Sequence, residues 1–189
     1  MIGLGRDPQT PTGNATGYYP AETVHYTKEF EWNDPSGAAY LEFEGVYHNA
    51  AVYINGCLAA QHDNGYTAFT VDISPFLKQG KNTIKVLVRN GVSSSRWYTG
   101  TGIYRDVWLL RAGSVHIAPN GVKITVTEAD EEAAALLIQT TLVNREARQQ
   151  TLCLRHRIGA FELIGKSLRN IVRKVLQYRR IKALVAFKD

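Results

Sequence analysis

The chain has 189 residues, of which 44% are hydrophobic, and a formal net charge of +5 at pH 7. This length suffices to bury one core of ordinary size and part of a second. The charge is uneven, because residues 1–154 hold 12 Lys/Arg against 15 Asp/Glu whereas residues 155–189 hold 10 against 2. The basic character therefore belongs to the end of the chain, and the rest is not expected to bind nucleic acid.

The composition also excludes several other classes of protein. No apolar run approaches the length of a membrane span, and the first 20 residues lack the basic start and apolar centre of a secretion signal. Cys57 and Cys153 are far apart and have no second Cys or paired His at metal-ligand spacing. We expect no disulfide framework, no metal and no cofactor. These features favour a cytoplasmic location, unless residues precede Met1 in the natural protein.

The chain begins with a segment poor in regular patterns and then changes to strands. Residues 1–17 are rich in Gly, Pro and polar side chains, which predicts a loop or a disordered start. Residues 24–32 and 40–44 alternate between apolar and polar side chains, which predicts half-buried strands. Glu42 and Glu44 share the polar face of the second run. We interpret them as solvated surface residues rather than as a pair of catalytic carboxyls.

The clearest local signal is a β-hairpin. Asn55-Gly56 joins two short apolar runs and tolerates the positive φ of a tight turn. Apolar and polar side chains alternate again at residues 69–73 and at residues 84–88. Pro75 ends the first of these predicted strands, because proline cannot donate a hydrogen bond to the sheet. Short strands about ten residues apart, with turns between them and no helical period before residue 130, predict an all-β sandwich. A jelly roll is the architecture that this spacing favours.

The last third of the chain changes character twice. Residues 115–121, around Pro119, predict a linker, and residues 121–127 and 135–144 predict two more strands separated by an acidic turn. Within residues 155–189, apolar side chains recur at three-to-four spacing among Lys and Arg. This pattern is typical of a basic amphipathic helix, which would bind a membrane surface or an acidic partner.

The most specific stretch is SRWYTGTGIYRDVWLL, residues 95–110. Arg96, Trp97 and Tyr98 offer a forked donor and flat apolar faces, which suit a sugar or another polyhydroxylated ligand. The alternative is a buried corner of the core, because aromatic residues before an apolar run are also typical of packing. We interpret the other marked positions as a structural motif, in which Arg105 and Asp106 form a charge pair and the later residues close the sandwich: Gly100, Gly102, Tyr104, Arg105, Asp106 and Trp108.

Taken in order, these motifs resemble the N-terminal sugar-binding domain of glycoside hydrolase family 2, the family of β-galactosidases and β-glucuronidases. The resemblance is carried by HYTKEF, VYING, DISP and RWYTGTGIYRDVWL, and it covers residues 18–154. It implies a galactose-binding-like jelly roll at residues 18–114, a linker at 115–121 and a partial immunoglobulin-like sandwich at 122–154.

The resemblance implies an accessory, carbohydrate-binding domain of a β-galactosidase-type enzyme, with Arg96, Trp97 and Tyr98 near the sugar. In the family a catalytic barrel follows, its acid/base glutamate comes after an asparagine, and no Asn-Glu dipeptide occurs here. We therefore assign no catalytic residue and expect this chain alone to hydrolyse no glycoside. The sugar, a β-galactoside or a β-glucuronide, stays open, and so does the oligomeric state.

Two other functions stay open at this point. A free-standing carbohydrate-binding module would need an exposed aromatic platform that holds a sugar unaided. A β-domain tethered to an acidic surface would use the tail at residues 155–189. That tail departs from the family pattern, and the alternative explanation is a shifted reading frame near residue 155.

Overall fold

The structure is a computed structural model that describes residues 6–10, 13–18, 22–34, 36–90, 100–129, 133–158, 161–164, 168–171, 176–178 and 182–186. The chain divides into two compact units, Met1–Arg111 and Ala112–Asp189. Both units are built from β-strands, which confirms the all-β class predicted from the alternating pattern. Among the described residues, no helix is long and apolar enough to cross a membrane.

The first unit is a β-sandwich. Its described strands are β1 (Thr23–Trp32), β2 (Ala38–Phe43), β3 (Val46–Tyr47), β4 (Ala50–Ile54), β5 (Cys57–His62), β6 (Phe69–Asp72), β7 (Gly80–Arg89), β8 (Gly102–Ile103) and β9 (Val107–Ala112). One sheet has the order β1-β7-β4-β5, the other has the order β6-β2-β9, and β3 pairs with β8. Residues 1–17, predicted as a loop or a disordered start, include a short 3-10 helix at Gly13–Thr16.

The core lies between the two sheets. β1 and β7 pair antiparallel from Thr23 opposite Arg89 to Trp32 opposite Gly80. This register turns the apolar members of each alternating run inward, and burial of each large one stabilises the fold by about 1.5–3 kcal/mol. The largest fully buried apolar side chains are Phe43, Val46, Val52, Ile54, Ile73 and Val88. The arrangement confirms the predicted jelly-roll sandwich.

The predicted hairpin joins β4 to β5. Asn55 and Gly56 have φ values of 50° and 87°, as the turn requires. The Asn55 amide also donates to Oδ1 of Asn82 over 2.8 Å. Asn82 is fully buried, and its amide donates to the carbonyl oxygens of Lys78 and Gly80 at 2.8 and 2.7 Å. This network ties the hairpin to the turn before β7, because a buried amide must find partners.

The second unit is also antiparallel. Its described strands are β10 (Val115–Ala129), β11 (Ala133–Asn144), β12 (Gln150–Leu152), β13 (Arg155–Ile158), β14 (Phe161–Ile164), β15 (Leu168–Ile171), β16 (Leu176–Tyr178) and β17 (Lys182–Ala186). β11 pairs with β10 and also with β16 and β17, whereas β12 pairs with β15 and β13 pairs with β14.

Residues 115–121, which we expected to be a linker, form the first part of strand β10. The register of β10 on β11 shifts between Ile117 and Val122, so the Pro-Asn-Gly signal marks a β-bulge. Asn120 adopts a φ of 54° there. A Cβ on Gly121 would lie 2.6 Å from the carbonyl oxygen of Ala118, so the bulge needs glycine.

The predicted helix in residues 155–189 is wrong, because the described parts of this tail are strands β13 to β17. β17 pairs with β11 from Ala133 opposite Ala186 to Leu137 opposite Lys182. The unpaired N–H and C=O groups along β11 offer an extended segment a complete ladder, and this partner outweighs a weak 3.6-residue pattern. Tertiary pairing therefore decided the conformation of the tail.

Candidate functional site

Arg96, Trp97 and Tyr98 belong to residues 91–99, which lie outside the described residues. The residues on both sides of this segment are described. The Asn90 amide donates to Oγ1 of Thr101 over 3.1 Å, and these side chains are buried, with 2% and 1% of their surface exposed. The Glu22 N–H also donates to Thr101 Oγ1, over 3.3 Å. The described residues that flank this segment are therefore tied to each other by a buried hydrogen bond.

Gly102 and Tyr104, which follow Thr101 in the motif, hold three loops together. Gly102, at a φ of 128°, pairs with Tyr47 where β8 meets β3. The Tyr104 N–H donates to the Gly45 carbonyl over 3.2 Å, and its hydroxyl donates to the Gly65 carbonyl over 2.7 Å. A Cβ on Gly45 would lie 2.6 Å from Cζ of Tyr104, so glycine permits the close approach. Tyr104 thus links the loops that follow β2, β5 and β8.

Three other motif residues are exposed. The Arg105 guanidinium lies 5.6 Å from the centre of the Tyr104 ring. In the part of the chain that the structure describes, Arg105 forms no ion pair with Asp106, so the predicted charge pair is not formed. Trp108 is 51% exposed, and its Nε1 donates to Oε1 of Glu44 over 2.9 Å. It does not close the sandwich, because alternation along β9 turns Leu109 inward and Trp108 outward.

Sequence reasoning missed a group of aromatic side chains beside this motif, Tyr47, His48 and Tyr66, which we call the aromatic corner. The Tyr47 ring stands edge-on to the Tyr66 ring at 5.4 Å and to the His48 ring at 4.7 Å. Tyr66 is 57% exposed. Oδ1 of Asn64 accepts the Tyr66 N–H over 2.8 Å, which fixes the loop that carries Tyr66. An Asn-Gly turn followed by Tyr was the signal that could have revealed it.

The aromatic corner has the chemistry of a sugar site. It lies next to the described residues that follow segment 91–99, because Tyr47 pairs with Gly102 and Thr101 precedes Gly102. Exposed aromatic rings with polar atoms at their edges can stack on the apolar face of a sugar and bind its hydroxyls. No group of three or more His, Cys, Asp or Glu side chains within the described ranges is placed to hold a metal ion.

The fold and the corner define a β-sandwich domain of the carbohydrate-binding class. The family description "Glycosyl hydrolases family 2, sugar binding domain" matches residues 4–113. The chain therefore belongs to glycosyl hydrolase family 2, and the matched residues are its N-terminal sugar-binding domain. The resemblance predicted from the motifs is confirmed, and the match begins earlier than residue 18.

Relatives and solved structures agree with this family. A β-galactosidase of Bacteroides ovatus, BoGH2A, is 37% identical over an alignment of 151 residues that covers 77% of this chain and 18% of the relative. A β-glucuronidase of Formosa agariphila is 30% identical over 70% of this chain and 16% of its own length. The chain thus spans less than a fifth of these two relatives.

Two crystal structures superpose on most of the chain. The Bacteroides uniformis β-glucuronidase matches with a TM-score of 0.77 and 26% identity, over 90% of this chain and 22% of its own. A family 2 member from Bacteroides cellulosilyticus matches with a TM-score of 0.72 and 27% identity, over 98% of this chain and 24% of its own.

Proposed function

We propose that this chain is the non-catalytic accessory domain of a glycosidase that hydrolyses O-glycosyl bonds of the β-galactoside or β-glucuronide class. Arg96, Trp97 and Tyr98, together with the aromatic corner, form one wall of the sugar site. The observation that carries this proposal is the Asn90–Thr101 hydrogen bond, 3.1 Å long, which joins the described residues on either side of segment 91–99, next to the Gly102–Tyr47 pair. The two relatives, a β-galactosidase and a β-glucuronidase, support the two sugar classes.

The chemistry of the segment fits a wall rather than a catalytic centre. Trp97 and Tyr98 would stack on the sugar ring, and Arg96 would donate two hydrogen bonds to hydroxyls or to a uronate carboxylate. Glycoside hydrolysis needs a pair of carboxyls across the scissile bond. No such pair is assigned in this chain, so the barrel domain of the parent enzyme is the partner that would supply it.

The division of the chain at residues 111 and 112 supports a jelly roll that ends near residue 114. We infer that residues 122–154 are the beginning of an immunoglobulin-like sandwich, and that the strands of residues 155–189 extend it. The acidic-surface tether is disfavoured, because its amphipathic helix is absent from the described tail.

A free-standing carbohydrate-binding module is the second candidate, and the exposure of Tyr66 favours it. Titration of the chain with methyl β-galactoside and methyl β-glucuronide separates the two functions. Saturable binding that is lost in Trp97→Ala and Tyr66→Ala, but kept in the exposed control Trp108→Ala, would establish the module. A well-folded chain that binds neither glycoside supports the accessory domain.

Catalysis is tested on the same preparation. With an aryl β-galactoside and an aryl β-glucuronide as substrates, we expect no release of the aryl group above the buffer rate. Turnover in proportion to the amount of chain, kept through successive purification steps, would contradict the non-catalytic proposal.

A further inference from the structure

The outer face of the four-stranded sheet carries a groove that the family motifs do not include. β4 and β7 bury Val52, Ile54 and Val86 in the core, so the alternate residues Tyr53 and Lys85 point to the opposite face. Two adjoining concavities of about 620 and 350 Å³ lie on that face. Both are lined by Tyr53 and Leu87, so they form one continuous groove across the sheet.

The strand register places an aromatic ring and a cation at the middle of this groove. Tyr53 stands directly opposite Lys85 in the β4–β7 pair, and Leu87 stands between Ala51 on β4 and His25 on β1. Tyr53 is half-buried. A half-buried ring flanked by a long basic side chain gives one sugar ring a stacking surface and gives its substituents a donor.

The groove is locally positive. Lys78 lies toward one end and Arg89 toward the other, with Lys85 between them, and Asp63 is the one carboxylate among the described lining residues. Among the described residues, none of these three basic side chains forms an ion pair. Lys81 on the same strand differs, because its Nζ contacts Oε2 of Glu29 at 2.7 Å.

The spacing of the cations suits a ligand of more than one sugar residue. Lys85 and Arg89 are four residues apart on β7, which is about 13 Å of extended strand. Carboxylates on two residues of a saccharide match this separation, with one carboxylate for each basic side chain. The first unit as a whole is not basic, since residues 1–111 hold nine Lys/Arg against ten Asp/Glu. A long polyphosphate would gain little general attraction from such a unit.

We propose that this groove binds an oligosaccharide that contains uronic acid residues. One sugar ring stacks on Tyr53, and the carboxylates of two residues accept hydrogen bonds from Lys85 and Arg89. This inference rests on the assignment of the unit as a sugar-binding domain, and it does not depend on Arg96, Trp97 or Tyr98.

The test compares two ligands that differ only in charge. A hyaluronan tetrasaccharide and the same tetrasaccharide with its carboxylates reduced to hydroxymethyl groups are titrated against the full chain by calorimetry. We expect saturable binding of the acidic form and binding that is weaker by about tenfold or more for the reduced form, because charge-assisted hydrogen bonds are lost.

Three variants locate the site. Lys85→Gln is expected to weaken binding of the acidic form by about tenfold, and Tyr53→Ala is expected to weaken both forms. Lys81→Gln removes the same charge from the same strand outside the groove, and its affinity should stay within about twofold of the wild type. Circular dichroism confirms that each variant is folded.

Three results would refute the proposal that the groove binds this ligand. They are an absence of saturable binding, an equal affinity for both forms, and an affinity that neither Lys85→Gln nor Tyr53→Ala changes. The Trp97→Ala variant keeps this failure distinct from that of the proposed function. If tetrasaccharide binding depends on Trp97 and not on Lys85, the proposed groove site is refuted, and the proposed sugar site at Arg96, Trp97 and Tyr98 is not.

Discussion

Gly65 lies against the Tyr47 ring of the aromatic corner, and replacement of this glycine tests that packing directly. In Gly65→Ala, the new Cβ would lie 2.2 Å from Cδ2 and 2.7 Å from Cε2 of the Tyr47 ring. Ordinary contacts between such atoms are about 3.5–4.0 Å, so the ring must move by more than an ångström. The backbone of Gly65 needs no positive φ, and the expected effect is therefore steric.

The magnitude follows from two contributions. Overpacking of a well-packed site costs about 1–3 kcal/mol. Displacement of Tyr47 also breaks its edge-on contact with Tyr66, and such aromatic pairs contribute about 0.5–1.5 kcal/mol. We therefore expect Gly65→Ala to reduce the free energy of unfolding by roughly 2–4 kcal/mol. For a chain of this length that corresponds to a fall in melting temperature of roughly 5–15 °C.

Thermal unfolding followed by circular dichroism measures the change. Gly113→Ala is the matched control, because the nearest atom to its Cβ would be the Val115 carbonyl oxygen at 3.9 Å, an ordinary contact. In a Tyr47→Ala background, Gly65→Ala should cost less than about 1 kcal/mol, since the atoms that it would strike are gone. A melting temperature for Gly65→Ala equal to that of Gly113→Ala would refute the reasoning.

The remaining predictions concern the second unit. Ile124 on β10 is 61% exposed, and an exposed apolar strand face favours self-association. Ile124→Lys should therefore reduce self-association in sedimentation velocity, whereas the control Thr125→Lys, on the other face of β10, should not. A monomeric wild-type chain would contradict this prediction. A hydrogen bond from the Ser114 hydroxyl, 2.7 Å long, is the main cause that holds the pKa of Glu146 below its ordinary 4.5. Ionised Glu146 therefore stabilises the folded state above pH 4.5, and this stabilisation is lost as pH falls through the lower folded-state pKa. Glu146→Gln should therefore lower the melting temperature at neutral pH and lose this effect in acid, unlike the exposed control Glu128→Gln; a pH-independent difference would count against it.

Short-range chemistry explains the success of the strand predictions. The Asn55-Gly56 turn and the alternation of residues 24–32 both act between near neighbours in the chain, and the structure places a hairpin and a strand there. The order of the family motifs was equally readable, and the match over residues 4–113 confirms it. The roles of Arg96, Trp97 and Tyr98 stay predictions.

Long-range pairing explains the failures. Trp108 stands in an apolar run that is typical of a core, but it lies on the outward face of β9, and 51% of its surface is exposed. The tail has a helical spacing, yet β17 forms a strand because β11 offers it a partner. The segment itself reveals neither which face of β9 meets the core nor which strand pairs with the tail.

The sequence by itself determined the all-β class, the hairpin turn and the family, because these depend on local conformational preference and on the order of motifs. The tertiary structure alone decided which side chains meet. Tyr47 lies on strand β3 and Tyr66 lies on the loop after β5, whereas Tyr53 and Lys85 lie on different strands. Each pair comes together only after the register of the sheets is set, so the aromatic corner and the groove exist only in the folded sandwich.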